Sequence, residues 1–208
     1  YQVENTFPMK NFAEDMGING HLTIIRQWKN GQEEVLLDDS NIIVSGMGVG
    51  MSYLFTGSGS DTILDYQIDR FQVGVSGPPA GGVTSGIFEL SGQLIEGEYG
   101  AGSNLFISVN NQLTNGSQTS NRAFARIPAN KITRIGDSSV RYTLVLDEEA
   151  CNSLTRDSQD ANINEIGMFM KNPTGAASDV PILVCYRTFS NIRKTDDFSL
   201  IFRWTLNF

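Results

Sequence analysis

FSLIFRWTLNF, residues 198–208, decides how this chain folds. Its even positions are Phe198, Leu200, Phe202, Trp204, Leu206 and Phe208, all large and apolar. Between them stand Ser199, Ile201, Arg203, Thr205 and Asn207. Side chains alternate faces along a strand, so this spacing gathers the apolar set on one side. The 3.6-residue period of a helix would scatter the same set around its circumference. The stretch therefore reads as a core-facing strand, with Phe198, Phe202, Trp204 and Leu206 expected in the core. It carries no chemistry of its own.

Working outward, Ile163 to Met170 and Pro181 to Phe189 read as further strands, which adds Phe169 and Phe189 to the expected core. Val140, Tyr142, Leu144 and Leu146 alternate with Arg141, Thr143 and Val145, the mark of a half-buried strand. Residues 151–162 are polar and read as a loop, and Asp147 to Ala150 as the start of one helical turn. Short strands are expected at Ala123 to Ile127 and Lys131 to Ile135, interrupted by Pro128. Tyr66 to Val75 is another strand, ended by Gly77-Pro78-Pro79 because proline cannot donate to a ladder. Residues 21–37 read as a hairpin around Asn30-Gly31, a pair that adopts positive φ readily.

Asp38-Asp39-Ser40-Asn41 are N-cap residue types ahead of an apolar run. That run, Ile42 to Phe55, admits a buried helix ending near Gly57. Gly46, Gly48 and Gly50 weigh against it, each costing about 1 kcal/mol relative to Ala in a helix interior. The other reading is close backbone packing against a sheet. The Gly-Met-Gly-Val-Gly spacing is not GxGxxG, and no parallel βαβ unit surrounds it, so no dinucleotide site is expected. Residues 1–20 read as a polar arm carrying Phe7, Met9, Phe12 and Met16. Residues 78–121 are rich in Gly, Ser and Asn and form an excursion with a strand near 104–109. The expected fold is mainly β: an antiparallel β-sandwich of about eight or nine strands with one short Gly-rich helix, over 21–208.

Composition agrees with many turns between short strands. Of 208 residues 40% are apolar, 18% are charged and 21 are glycine. The net charge is −8, with 15 dispersed basic residues, which disfavours nonspecific nucleic-acid binding. No run approaches 18 consecutive apolar residues, so no membrane insertion is expected. The N-terminal residues lack the basic and apolar regions of a signal peptide. Cys151 and Cys185 are far apart and outside any CxxC spacing, and read as buried thiols behaving as small hydrophobes.

Catalytic and metal chemistry finds little material. The chain has one histidine, His21, beside a strand start and without a nucleophile elbow. One histidine and two distant cysteines do not make a zinc site. The carboxylates fall in short clusters suited to caps and turns, and no EF-hand loop is present. Glu165 differs, since it stands within an apolar strand. It reads as structural, buried and hydrogen-bonded to backbone N–H groups or to an arginine such as Arg187 or Arg203. No catalytic residue, cofactor or metal is assigned.

The C-terminal stretch is also distinctive as a motif. Glu165-Ile166-Gly167-Met168-Phe169 is followed by Arg187-Thr188-Phe189, then by Ile192-Arg193-Lys194-Thr195-Asp196-Asp197-Phe198 and Arg203-Trp204-Thr205. Upstream stand Asn41-Ile42-Ile43-Val44 and Phe71-Gln72-Val73-Gly74. This order resembles a family of tailed-bacteriophage virion proteins over roughly residues 40–208, with 78–121 poorly matched. The Gly46 to Gly50 stretch departs from the ordinary helix formers of that family, and residues 1–37 lie outside the match.

The resemblance implies a non-enzymatic virion component of the tail, baseplate or fibre attachment, located in the virion after assembly in the bacterial cytoplasm. It implies other virion proteins as partners and a homo-oligomeric arrangement. Phe7, Phe12, Phe88 and Tyr99 are the candidate interface residues, the first pair in the arm and the second in the excursion. A head decoration or neck protein, and a glycan-binding module using Tyr99 and Phe88, are the alternatives.

Overall fold

The computed structural model describes residues 17–57, 63–78, 106–108, 123–156, 159–171 and 181–208. The strands are β1 (Asn19–Trp28), β2 (Glu33–Ile43), β3 (Ile68–Gly74), β4 (Phe106–Ser108), β5 (Ala123–Arg126) and β6 (Ile132–Gly136). They continue with β7 (Ser139–Leu146), β8 (Thr155–Arg156), β9 (Gln159–Asp160), β10 (Ile163–Met170), β11 (Ile182–Ile192) and β12 (Phe198–Asn207). Among the described residues one α-helix, α1 (Ser45–Thr56), follows β2 directly. The protein is thus mainly β with a Gly-rich helix.

Ten strands form one antiparallel sheet, in the order β4-β5-β3-β10-β11-β2-β1-β12-β7-β6. β8 and β9 pair only with each other. The sheet does not divide into the separate layers of a sandwich. It stays hydrogen-bonded through β2, whose residues Glu33–Asn41 pair with β1 while Ile42 and Ile43 pair with Tyr186 and Cys185 of β11. The two halves curl toward each other as a half-barrel and share one core.

β12 organises the first half. Trp204 lies between Leu22 of β1 and Tyr142 of β7, and Phe202 between Ile24 and Leu144. These cross-strand rows are where sheet stabilisation is concentrated. From the second half Phe71, Val73, Ile166, Met168 and Val184 join the same cluster. The alternation in residues 198–206 is obeyed, with every even side chain buried. Phe208, past the strand end, is half exposed.

The expectation fails in several segments, among them residues 151–162, read as a loop, which hold the paired strands β8 and β9. Asp38 to Asn41 cap no helix but continue β2. Their polar side chains have partners across the sheet: His21 and Thr23 bond Asp38, and Arg187 bonds Asp39. The helix then starts from Val44 in extended conformation, with no side-chain cap. Asp147 to Ala150 form turns rather than a helical turn. The hairpin between β1 and β2 is as expected, with Gly31 at φ +84.

The glycines of α1 reconcile helix and close packing. Gly46 and Gly50 lie one turn apart on the face toward β10 and β11. A Cβ on Gly46 would stand 1.9 Å from the Leu183 carbonyl oxygen, and one on Gly50 2.4 Å from Met170 Sδ. The missing side chains let the helix rest on the sheet backbone, with Met47 in the core.

The sheet begins inside the segment expected as an arm. β1 starts at Asn19, and Ile18 is buried in the core. Residues 1–16 lie outside the described residues, as does most of the 78–121 excursion. β4 falls within the strand expected near 104–109.

Candidate functional site

The residues expected in the core occupy it with one exception of face. Phe198, Phe202, Trp204 and Leu206 are buried in the shared cluster. Phe189 is partly buried against it, its ring 6.3 Å from that of Phe202. Phe169 is also buried but stands outside this cluster, on the β10 face that carries Glu165 and Gly167. Phe7, Phe12, Phe88 and Tyr99 lie outside the described residues.

That far face of β3, β10 and β11 is a second buried layer, and it is polar. Register sets Gly74, Glu165 and Thr188 in one row, and Gln72, Gly167 and Tyr186 in the next. Glu165, Gln72 and Tyr186 are fully buried. Tyr186 donates its hydroxyl to a Glu165 carboxylate oxygen. Gly74 leaves the space Glu165 needs, since a Cβ there would meet Glu165 Oε1 at 2.4 Å. Arg187 instead bonds Asp39 at 2.6 Å, and Arg203 is exposed. The Gln72 side-chain amide has no hydrogen-bond partner among the described residues. A single strand's pattern cannot show this layer, because the burial comes from whatever packs on the opposite face.

Lys194 marks a knot between loops. Only 2% exposed, it donates to Asn152 Oδ1 at 2.9 Å and to the Thr195 carbonyl at 2.7 Å. Its ammonium also lies 5.2 Å from the Phe198 ring centre. Ser153 N–H donates to the Lys194 carbonyl at 2.8 Å. Cys151 and Ser153, on either side of Asn152, take positive φ of 57° and 47°. Left-handed backbone at non-glycine residues is costly and persists only where surroundings enforce it. Burial lowers the Lys194 amine to about 8, partly offset by Cys151, Asp147, Glu148 and Asp196. Cys151 and Cys185 are both free and buried, and burial raises both thiols well above their ordinary range.

His21 sits on the exposed face of the β1–β2 hairpin, with Nε2 2.8 Å from Asp38 Oδ1. Its hydrogen bond, with that of Thr23, holds the Asp38 carboxyl below the usual range. The Ser40 N–H and then Arg187 do the same for Asp39. Among the described residues no group of three or more His, Cys, Asp and Glu side chains converges as metal ligands would. None of their helices is long and apolar enough to cross a membrane.

Two kinds of cleft open on the surface. One, about 460 Å³, is lined by Gln159, Asp160, Asn162, Asn164 and Asn191. Asp160 there pairs with Arg193, and Asn164 Oδ1 accepts from Gly77 N–H at 2.9 Å. The other, about 510 Å³, is apolar and lies between α1, the turn at Ile63–Tyr66 and Phe208. Leu54, Ile63, Leu64 and Phe208, which line it, are all exposed. Large exposed apolar side chains gathered in one place mark an interaction surface more than a reaction site.

No family model, no curated protein and no solved structure matches the chain.

Proposed function

We propose that this protein is a non-enzymatic structural component of a tailed phage particle. It serves in the baseplate or tail region as an adaptor, in several copies, and docks to neighbouring virion proteins. The observation that carries the reading is the ordered C-terminal motif from Glu165 to Thr205.

The positions of those residues support it. Glu165 bonds Tyr186 within a buried polar layer. Lys194 ties its loop to Asn152. Trp204 is fully buried in the core. The motif thus includes residues that hold this sheet together, as expected of a signature that follows a fold. Contact with partners falls to the apolar surface beside α1 and to sequence outside the described residues.

The test is to find the protein in purified particles by mass spectrometry and to place it by cryo-electron microscopy. The expected result is a defined number of copies at the tail or baseplate. Absence from mature particles overturns the proposal.

A further inference from the structure

We infer that the apolar cleft beside α1 is the seat of residues 1–16 of a neighbouring copy of this chain. The inference deepens the proposed function and rests on its arrangement in several copies. Met47, Met51, Tyr66, Met170 and Phe208 line the cleft. No described lining residue is charged. At its mouth Ile63 is 79% exposed and Leu64 59%. Methionine walls adapt their shape to an apolar guest. The cleft therefore suits an apolar-studded peptide segment better than a charged ligand.

The chain supplies such a segment. YQVENTFPMKNFAEDM, residues 1–16, sets Phe7, Met9, Phe12 and Met16 among polar residues. Its root is at the rim of the cleft. Asn19 pairs with Asn207, the residue before cleft-lining Phe208, and Gly17 takes φ +70, which turns the chain there. Sixteen residues reach at most about 55 Å. A compact chain of this length has a radius of gyration of about 17 Å, so the segment outreaches the domain that carries it. The cleft of the same chain begins beside the root, so a segment seated there would carry Phe7 and Met9 past it. A neighbour's cleft uses the whole length. Because root and cleft are adjacent on each copy, two copies about a twofold axis exchange segments reciprocally.

The test uses full-length chains bearing single substitutions. A Phe12→Cys chain is mixed with a Leu54→Cys chain and oxidised mildly, the native cysteines being buried and free. A disulfide-linked pair of the two variants, resolved by mass, is expected. Leu54→Glu is expected to weaken self-association of the otherwise native chain at least tenfold in sedimentation. Ile63→Glu repeats this at a more exposed lining position, where folding is not at stake. If the native chain associates while no linked pair forms and both Glu variants associate normally, the inference fails and the multi-copy reading stands. If the Phe12→Cys, Leu54→Cys double variant links only within one chain, the cleft belongs to its own segment and the inference fails. A native chain that stays monomeric at every concentration removes the multi-copy reading and the inference together.

Discussion

Trp204 sets the largest single stake at the residue scale. Its side chain is fully buried, and its indole N–H has no partner among the described residues. Trp204→Ala should cost about 3–5 kcal/mol by loss of burial and creation of a cavity. Trp204→Phe should cost clearly less, because it also removes the unpaired donor. Urea unfolding of the three proteins checks both the size and the order. Lys194 makes a prediction in pH. Its amine lies at about 8 in the folded protein and at the ordinary 10.5 when unfolded. Between those values the unfolded chain holds a proton that the folded chain has released, so this group's contribution to stability rises with pH. It is least favourable below about 8 and level above 10.5. The stability of the native protein relative to Lys194→Met should therefore climb from pH 8 to 10.5. A flat difference would show that the amine is not desolvated.

The helix carries the prediction at the scale of elements. Intrinsic propensity says that Gly→Ala in α1 gains about 1 kcal/mol. At Gly46 the sign reverses, since the new Cβ meets the rigid Leu183 carbonyl at 1.9 Å. Gly46→Ala should destabilise by about 1–3 kcal/mol, the usual range for overpacking. Gly50→Ala meets the sulfur and methyl end of Met170, which can swing aside, and should cost less. Thermal unfolding of the pair tests the contrast. The strands were legible where burial is one-sided. β7 and β12 have the bounds their alternation predicts, to within a residue, while β10, buried on both faces, was read from its apolar run. β2 was not, because Asp38 and Asp39 are stabilised by His21, Thr23 and Arg187. Arg187 is 148 positions from Asp39 in the chain, so no local pattern contains that pair.

For the whole molecule, truncation separates the sheet from what precedes it. Removing residues 1–16 should leave circular dichroism and urea stability close to native while reducing self-association in light scattering. Removing residues 1–20 should lower stability as well, because Ile18 is a core residue and Asn19 and Gly20 pair with Asn207 and Leu206. Loss of folding in the shorter truncation would place the segment within the core. The candidate surface was only partly legible. Leu54 and Phe55 looked like buried members of an apolar run. Their exposure depends on which face of α1 the glycines turn toward the sheet.

The sequence alone determined the class of fold, the core-facing last strand, the Asn30-Gly31 turn and the core from Phe198 to Leu206. These follow from local rules: the two-residue period of a strand and the backbone freedom of glycine. Tertiary structure decided the rest. It joined the halves through β2 into one curled sheet and buried Glu165 against Tyr186. It also moved Phe169 to the far face and left an apolar cleft at the end of β12. Each of these outcomes depends on what lies across a strand or over a face. Such neighbours are distant in sequence, so FSLIFRWTLNF could announce a core but not what closes around it.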